Sequence, residues 1–193
     1  MSGLVGRLRR LLEDEEVRSI SRRYFISNGF DGTLTSIGVA VGSLLSGIPD
    51  GSTVVAVGLG AAVGLGTSGV WSVWEIERAE TQADILRLER AMLTDLDDTA
   101  VQRRKARARL VHAVMSGLGP IVGVVLPLVP FLFEGGGLTM LQATLASIGV
   151  GVAVLFAFGA YLSTISRQRW YVAGARMGLA GVVVAAVNYL LPG

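Results

Sequence analysis

The chain alternates between long runs almost free of charge and short segments crowded with it. Tyr24 to Pro49 is 26 residues whose only charge is Asp31, and Gly51 to Trp74 is 24 residues with none. Leu110 to Phe133 is another 24 with a single His, Gly135 to Ser166 is 32, and Met177 to Gly193 is 17. Crossing a bilayer takes roughly 20 apolar residues at about 1.5 Å each. The pattern therefore predicts five transmembrane helices, near residues 25–47, 53–74, 110–133, 139–163 and 173–191.

The polar segments complete an all-α, polytopic architecture. Residues 1–23 read as an N-terminal amphipathic segment, with Leu4, Leu8, Leu11 and Leu12 on one face, suited to a membrane surface. A polar tail is the equally weighted alternative. Residues 24–74 hold helices one and two, 75–109 a charged helical insert, and 110–193 helices three to five. In the insert, Ile85, Leu88, Met92 and Leu96 have helical spacing, and Asp97-Asp98-Thr99 reads as a break before a new helix start. The insert has too few apolar residues for a core of its own. Two helices are expected there, continuous with the spans or stacked on them and packed against a second subunit.

Within the spans, Gly38, Gly42 and Ser46 recur every four residues, as do Gly60, Gly64 and Ser68. Gly119 and Gly123 repeat the spacing in span three. Small residues so placed let helix backbones approach closely. Pro120, Pro127 and Pro130 predict a kink in that span.

Composition agrees with the pattern: of 193 residues 51% are hydrophobic and 17% charged, and the mean hydropathy is +0.58. Charge adds the orientation. All 17 basic residues lie in three places, six before the first span, eight in 75–109 and three in 167–176. The connections near 48–52 and 134–138 carry only Asp50 and Glu134. By the positive-inside rule the N-terminus faces the cytosol and the C-terminus the exterior of a cytoplasmic membrane. The net charge of +2 is thus a topology signal, and no nucleic-acid partner is expected. With no Cys, disulfides, thiolate metal sites and Cys nucleophiles are excluded. No nucleophile–base–orienter set can be assembled and no cofactor motif is present, which argues against an enzyme.

Asp31 is the first residue with chemistry. It lies about 12 Å along the helix from Arg23, and carboxylates at such depth mark ion or proton pathways. It could instead pair with Arg22 or Arg23 at the interface, or cap a helix. Asn28, three residues earlier, shares its face and could offer an amide oxygen. Glu77, Glu80 and Asp84, spaced i, i+3, i+7, put three carboxylates on one helical face, an oxygen-rich set that hard divalent cations prefer. A solvated, salt-bridged face is the competing reading. Glu89 and Met92 could add an oxygen and a soft sulfur, although Met92 also sits on the apolar stripe. His112, the only histidine, could be a ligand, a proton shuttle or simply an interfacial residue.

These residues resemble the vacuolar iron transporter family and its compact prokaryotic relatives. NGFDGTLTSIGVAVG is similar to that family's Asn-Asp-Gly opening, and GAAVGLGTSGVWSVWE falls where it carries Ser-Met-x-x-Gly-Glu-Tyr. WEIERAE, LERAML, GLGPIVGVVLPLVPF and GARMGLAGVVVAAVNYLL complete the likeness. The resemblance implies a homodimer of five-helix subunits that exports ferrous iron or manganese from the cytosol in exchange for protons. It further implies that Asp31 lies in the translocation path and that Glu77, Glu80 and Glu89 bind metal at the cytoplasmic side. Aligned on Gly69, the family's Met, Glu and Tyr are replaced by Gly66, Val70 and Trp71. Those replacements define the alternative, a non-transporting membrane scaffold that keeps the fold and has lost the path.

Overall fold

The computed structural model describes residues 14–48, 50–93 and 100–190. It is all-helical over those residues: α1 (Glu15–Leu45), α2 (Gly51–Met92), α3 (Ala100–Leu128) running into a 3₁₀ turn (Val129–Phe133), α4 (Met140–Ser166) and α5 (Trp170–Leu190). The expected N-terminal amphipathic face, Leu96 and the Asp97-Asp98-Thr99 break lie outside the described residues.

Local chemistry accounts for the helix ends. Asp14 caps α1 by accepting from the Glu16 amide at 3.2 Å, and Glu15 and Glu16 complement the helix dipole. Asp50 caps α2 by accepting from the Thr53 amide at 3.1 Å, and Glu134 Oε2 accepts from the Gly51 amide at 3.1 Å. The two carboxylates of the uncharged end are therefore spent on one helix start. Thr139 and Gln142 form a reciprocal capping box at α4. Gly47 takes φ +67 after α1, a left-handed turn that glycine adopts without strain.

Among the described residues four helices are long and apolar enough to cross a membrane: α2, α3 with its 3₁₀ extension, α4 and α5. Helix α1, which carries the first expected span, falls short of that standard because Asn28, Asp31 and its Ser and Thr residues interrupt its apolar run. The most apolar stretch of α5 is only 17% buried within the protomer. So much outward apolar surface fits a lipid environment and not water. Helix α2 is 42 residues long, about 63 Å, or twice the hydrocarbon thickness. It continues without interruption from its apolar half into the charged residues of the insert, and α3 begins within the insert and runs back. Helix α3 stays helical through Pro120 and Pro127 and tightens to 3₁₀ around Pro130.

The glycines that bring helices together differ partly from those expected. Gly119 and Gly123 do meet the α1 backbone at Phe25 and Gly29. A Cβ on Gly32 would lie 2.6 Å from the Pro120 carbonyl oxygen. On α2, however, the inward residues are Gly58, Gly66 and Gly69, against Leu128, Ile121 and Ser116 of α3. Gly42, Gly60 and Gly64 face open space, and Gly38 only approaches Asn188. The four-residue stripe on α2 thus lies on the outside of the protomer. A three-helix unit, α1–α2–α3, results, with the α4–α5 pair laid against α1 through Ile37, Val41 and Leu155.

Candidate functional site

Three helices of that unit meet in a polar cluster near the charged end. Tyr24 on α1 donates its hydroxyl to Glu77 Oε1 on α2 at 3.2 Å. His112 Nδ1 on α3 stands 3.1 Å from the same oxygen. The imidazole is 3% exposed and the carboxylate side chain 16%. Although Nδ1 is within ion-pair distance, its N–H direction is not aligned for a hydrogen bond, and Nε2 has no partner among the described residues. The tilted Tyr24 and His112 rings lie 6.1 Å apart. A partly buried carboxylate is costly unless paired, and here its Oε1 accepts from Tyr24 and stands beside the imidazole. Glu77 Oε1 thus meets a hydroxyl and an imidazole nitrogen at one point between three helices.

One helical turn onward a second polar tier crosslinks the same helices. Asn28 Nδ2 donates to the Ser116 carbonyl at 3.1 Å and to the Ser116 hydroxyl, which donates to the Gly69 carbonyl at 2.9 Å. Asn28 follows Tyr24 by four residues and Ser116 follows His112 by four, so each pair is stacked on one helix face. Gly69 lies two turns before Glu77 on α2. A side chain at Gly69 would collide with Ser116, so the close approach of α2 and α3 requires glycine there. Asn28 spends its nitrogen on this crosslink and keeps its amide oxygen.

Asp31 continues the α1 face, seven residues and about 10 Å beyond Tyr24. It is exposed on the protomer and makes no ion pair among the described residues. Thr35 donates to the Asp31 backbone carbonyl at 2.8 Å, leaving the carboxylate uninvolved. Tyr24, Asn28 and Asp31 thus form one line from the partly buried Glu77 beside His112 to an open surface.

The other acids take no part in these hydrogen bonds, although Glu80 is near enough to Tyr24 to act on its hydroxyl electrostatically. Glu80 is exposed. Asp84 is bonded to Lys105 at 2.6 Å and lies 3.7 Å from Arg87. The Lys105 ammonium holds the Asp84 carboxyl below the usual carboxylate range. Glu89 lines a groove of about 500 Å³ between α2 and α3, beside Arg78, Gln82, Arg103 and Arg109. Met92 is 59% exposed. Among the described residues no group of three or more His, Asp or Glu is close enough to hold a metal ion. Glu77, Glu80 and Asp84 share a helix but not a site: Glu77 turns inward to α1 and α3, while Asp84 is tied to a cation. In span two, Gly66 is filled by Ile121 from α3, and Val70 is 40% exposed beside Gly117.

Tyr24 and Ser116 were not evident as site residues from the chain alone. Each sits four residues from one that was, Tyr24 before Asn28 and Ser116 after His112, and that spacing is the signal available. Arg109 Cζ lies 4.4 Å from the centroid of the Trp74 ring, a further contact of α2 with α3 at the membrane boundary.

Several long apolar helices that turn much of their surface outward make this a multi-pass membrane protein. Residues 74–192 match the VIT family, and the chain belongs to it. An uncharacterized protein of Methanocaldococcus jannaschii is 27% identical over 173 residues, covering 88% of this chain and 87% of that one. The family match contains Glu77 and His112, while Tyr24, Asn28 and Asp31 precede it.

Proposed function

We propose that the protein exports a divalent metal ion, ferrous iron or manganese, from the cytosol in exchange for protons. The observation that carries this reading is the line Tyr24–Asn28–Asp31, which runs from the partly buried Glu77 beside the buried His112 to an exposed Asp with no ion pair among the described residues. An ionised Asp facing lipid costs about 2.5–3.5 kcal/mol even by the lenient scale. A second copy of the chain, closing over that face of α1, would replace lipid with protein and water. In this reading α1 is the fifth span, the protein is a homodimer in the cytoplasmic membrane, and the Arg-rich end is inside.

Glu77 receives the cation as the His112 proton moves away, since a metal ion and an imidazolium compete for one carboxylate. Asn28 offers its oxygen on the way, and Asp31 holds the ion within the membrane until a proton replaces it. Glu80 and Glu89, outside the buried cluster, raise the local cation concentration. The test is flux of manganese or ferrous iron into proteoliposomes under an imposed pH gradient. Asp31→Ala should abolish it while the fold is retained. Transport by that variant equal to the parent's would refute the mechanism. Absence of flux and of metal binding in the parent would indicate a scaffold that has lost transport.

A further inference from the structure

A groove of about 720 Å³ opens at the charged end on the other side of α1, between α1, α4 and α5. Its walls are apolar, with Ile26 and Phe30 from α1, Leu162 and Ile165 from α4, and Met177 from α5. Its rim carries Arg22, Arg23 and Arg176, and no Asp or Glu lines it. Among the described residues Arg22 has a single long hydrogen bond, 3.5 Å to Ser19 Oγ, and Arg23 lies 5.8 Å from the Tyr24 ring centroid. Among the described residues none of the three makes an ion pair with a carboxylate. A second groove of about 420 Å³ shares Arg22 and Ile26 and adds Arg18 and Ser21. The Ser21 hydroxyl is buried and has no partner among the described residues.

Three guanidinium groups above an apolar cleft, at the boundary between charged and apolar segments, match one kind of molecule. We infer that this groove binds a phospholipid with an anionic headgroup, its phosphate held by Arg22, Arg23 and Arg176 and an acyl chain lying on Ile26, Phe30 and Leu162. Guanidinium forks suit phosphate oxygens, and basic pockets between helices at the inner membrane surface select anionic lipids. The first thirteen residues are a poor occupant, because Arg7, Arg9 and Arg10 against Glu13 alone would add like charge to the rim. The inference goes beyond the transport reading and does not depend on it.

The purified protein in neutral detergent is mixed with phosphatidylglycerol, phosphatidylcholine or inorganic phosphate. Bound lipid and oligomer mass are read by native mass spectrometry, and the unfolding temperature is recorded. The parent should retain phosphatidylglycerol over phosphatidylcholine by about tenfold. The R22Q/R23Q/R176Q variant should retain the two equally, R22K/R23K/R176K should keep the preference, and phosphate should give no thermal shift. If the triple Gln variant does not fold, R176Q alone, at an exposed position on α5, should weaken the preference. Equal retention by the parent, or a preference surviving in the Gln variants, overturns the inference. So does a thermal shift with phosphate alone, which would mark a free-anion site. A change of oligomer mass in the Gln variants, with no lipid bound to the parent, would make the groove a contact between copies and equally overturn it.

Discussion

Glu77 Oε1 lies 3.1 Å from His112 Nδ1, joining α2 to α3 where the imidazole is almost fully buried. Replacing Glu77 leaves the buried imidazole without its neighbour, while replacing His112 leaves Glu77 with Tyr24 alone. His112→Ala should lower stability by about 1–3 kcal/mol, seen as a lower unfolding temperature in detergent. A double-mutant cycle with Glu77→Gln should give a non-zero coupling energy. Additivity of the two substitutions would show that the pair is not an energetic unit.

Asn28 and Ser116 make the second crosslink, and its loss should be structural first. Asn28→Leu leaves the Ser116 oxygens short of a donor in a buried position and should cost about 1–3 kcal/mol. Ser116→Ala removes the bond to the Gly69 carbonyl as well as one from Asn28, and should cost a similar amount. Thermal unfolding of both variants checks this.

Asp31 should behave in the opposite way. Its carboxylate makes no hydrogen bond or ion pair among the described residues, so Asp31→Asn should change stability by less than about 0.5 kcal/mol. Metal flux should nonetheless fall to background, because the neutral amide brings no negative charge to the ion and has no carboxyl proton to exchange for it. A variant with normal flux would separate Asp31 from transport.

Close packing gives a paired prediction on glycines. Gly32→Ala places its Cβ against the Pro120 backbone, which cannot move aside cheaply, and should destabilise by about 1–3 kcal/mol. Gly60→Ala points into open space and should be neutral in the monomer. A lower oligomer mass with Gly60→Ala would instead place that face in a contact between copies of the chain.

The arm formed by α2 and α3 should loosen in acid. Asp84 is held below its ordinary range by Lys105, so its contribution to stability is present above the unfolded carboxylate pKa of about 3.9. It is lost as pH falls through the lower, folded value. Hydrogen exchange in residues 80–92 and 100–108 should rise on acidification below about pH 4, and Lys105→Gln should flatten that rise. An unchanged acid response in Lys105→Gln would assign it to another group.

Much of this architecture is legible in one dimension because hydrocarbon excludes charge. The uncharged runs and the confinement of Arg to three segments mark the apolar helices and the charged insert, and the spacing of Asn28 and Asp31 already puts them on one face. The same physics hides which face of α2 turns inward. In lipid the outer surface of a helix is as apolar as its packed one, so Gly60 and Gly64 look as well suited to packing as Gly58 and Gly66. Helix periodicity also placed Glu77, Glu80 and Asp84 together, yet partners far off in the chain separate them. Tyr24 and His112 draw Glu77 inward, 53 residues away in one direction and 35 in the other, while Lys105 takes Asp84. Exclusion of charge from lipid is a local property of each segment and survives in the linear chain. The pairing of buried polar groups depends on which helices touch, and that exists only once they have packed.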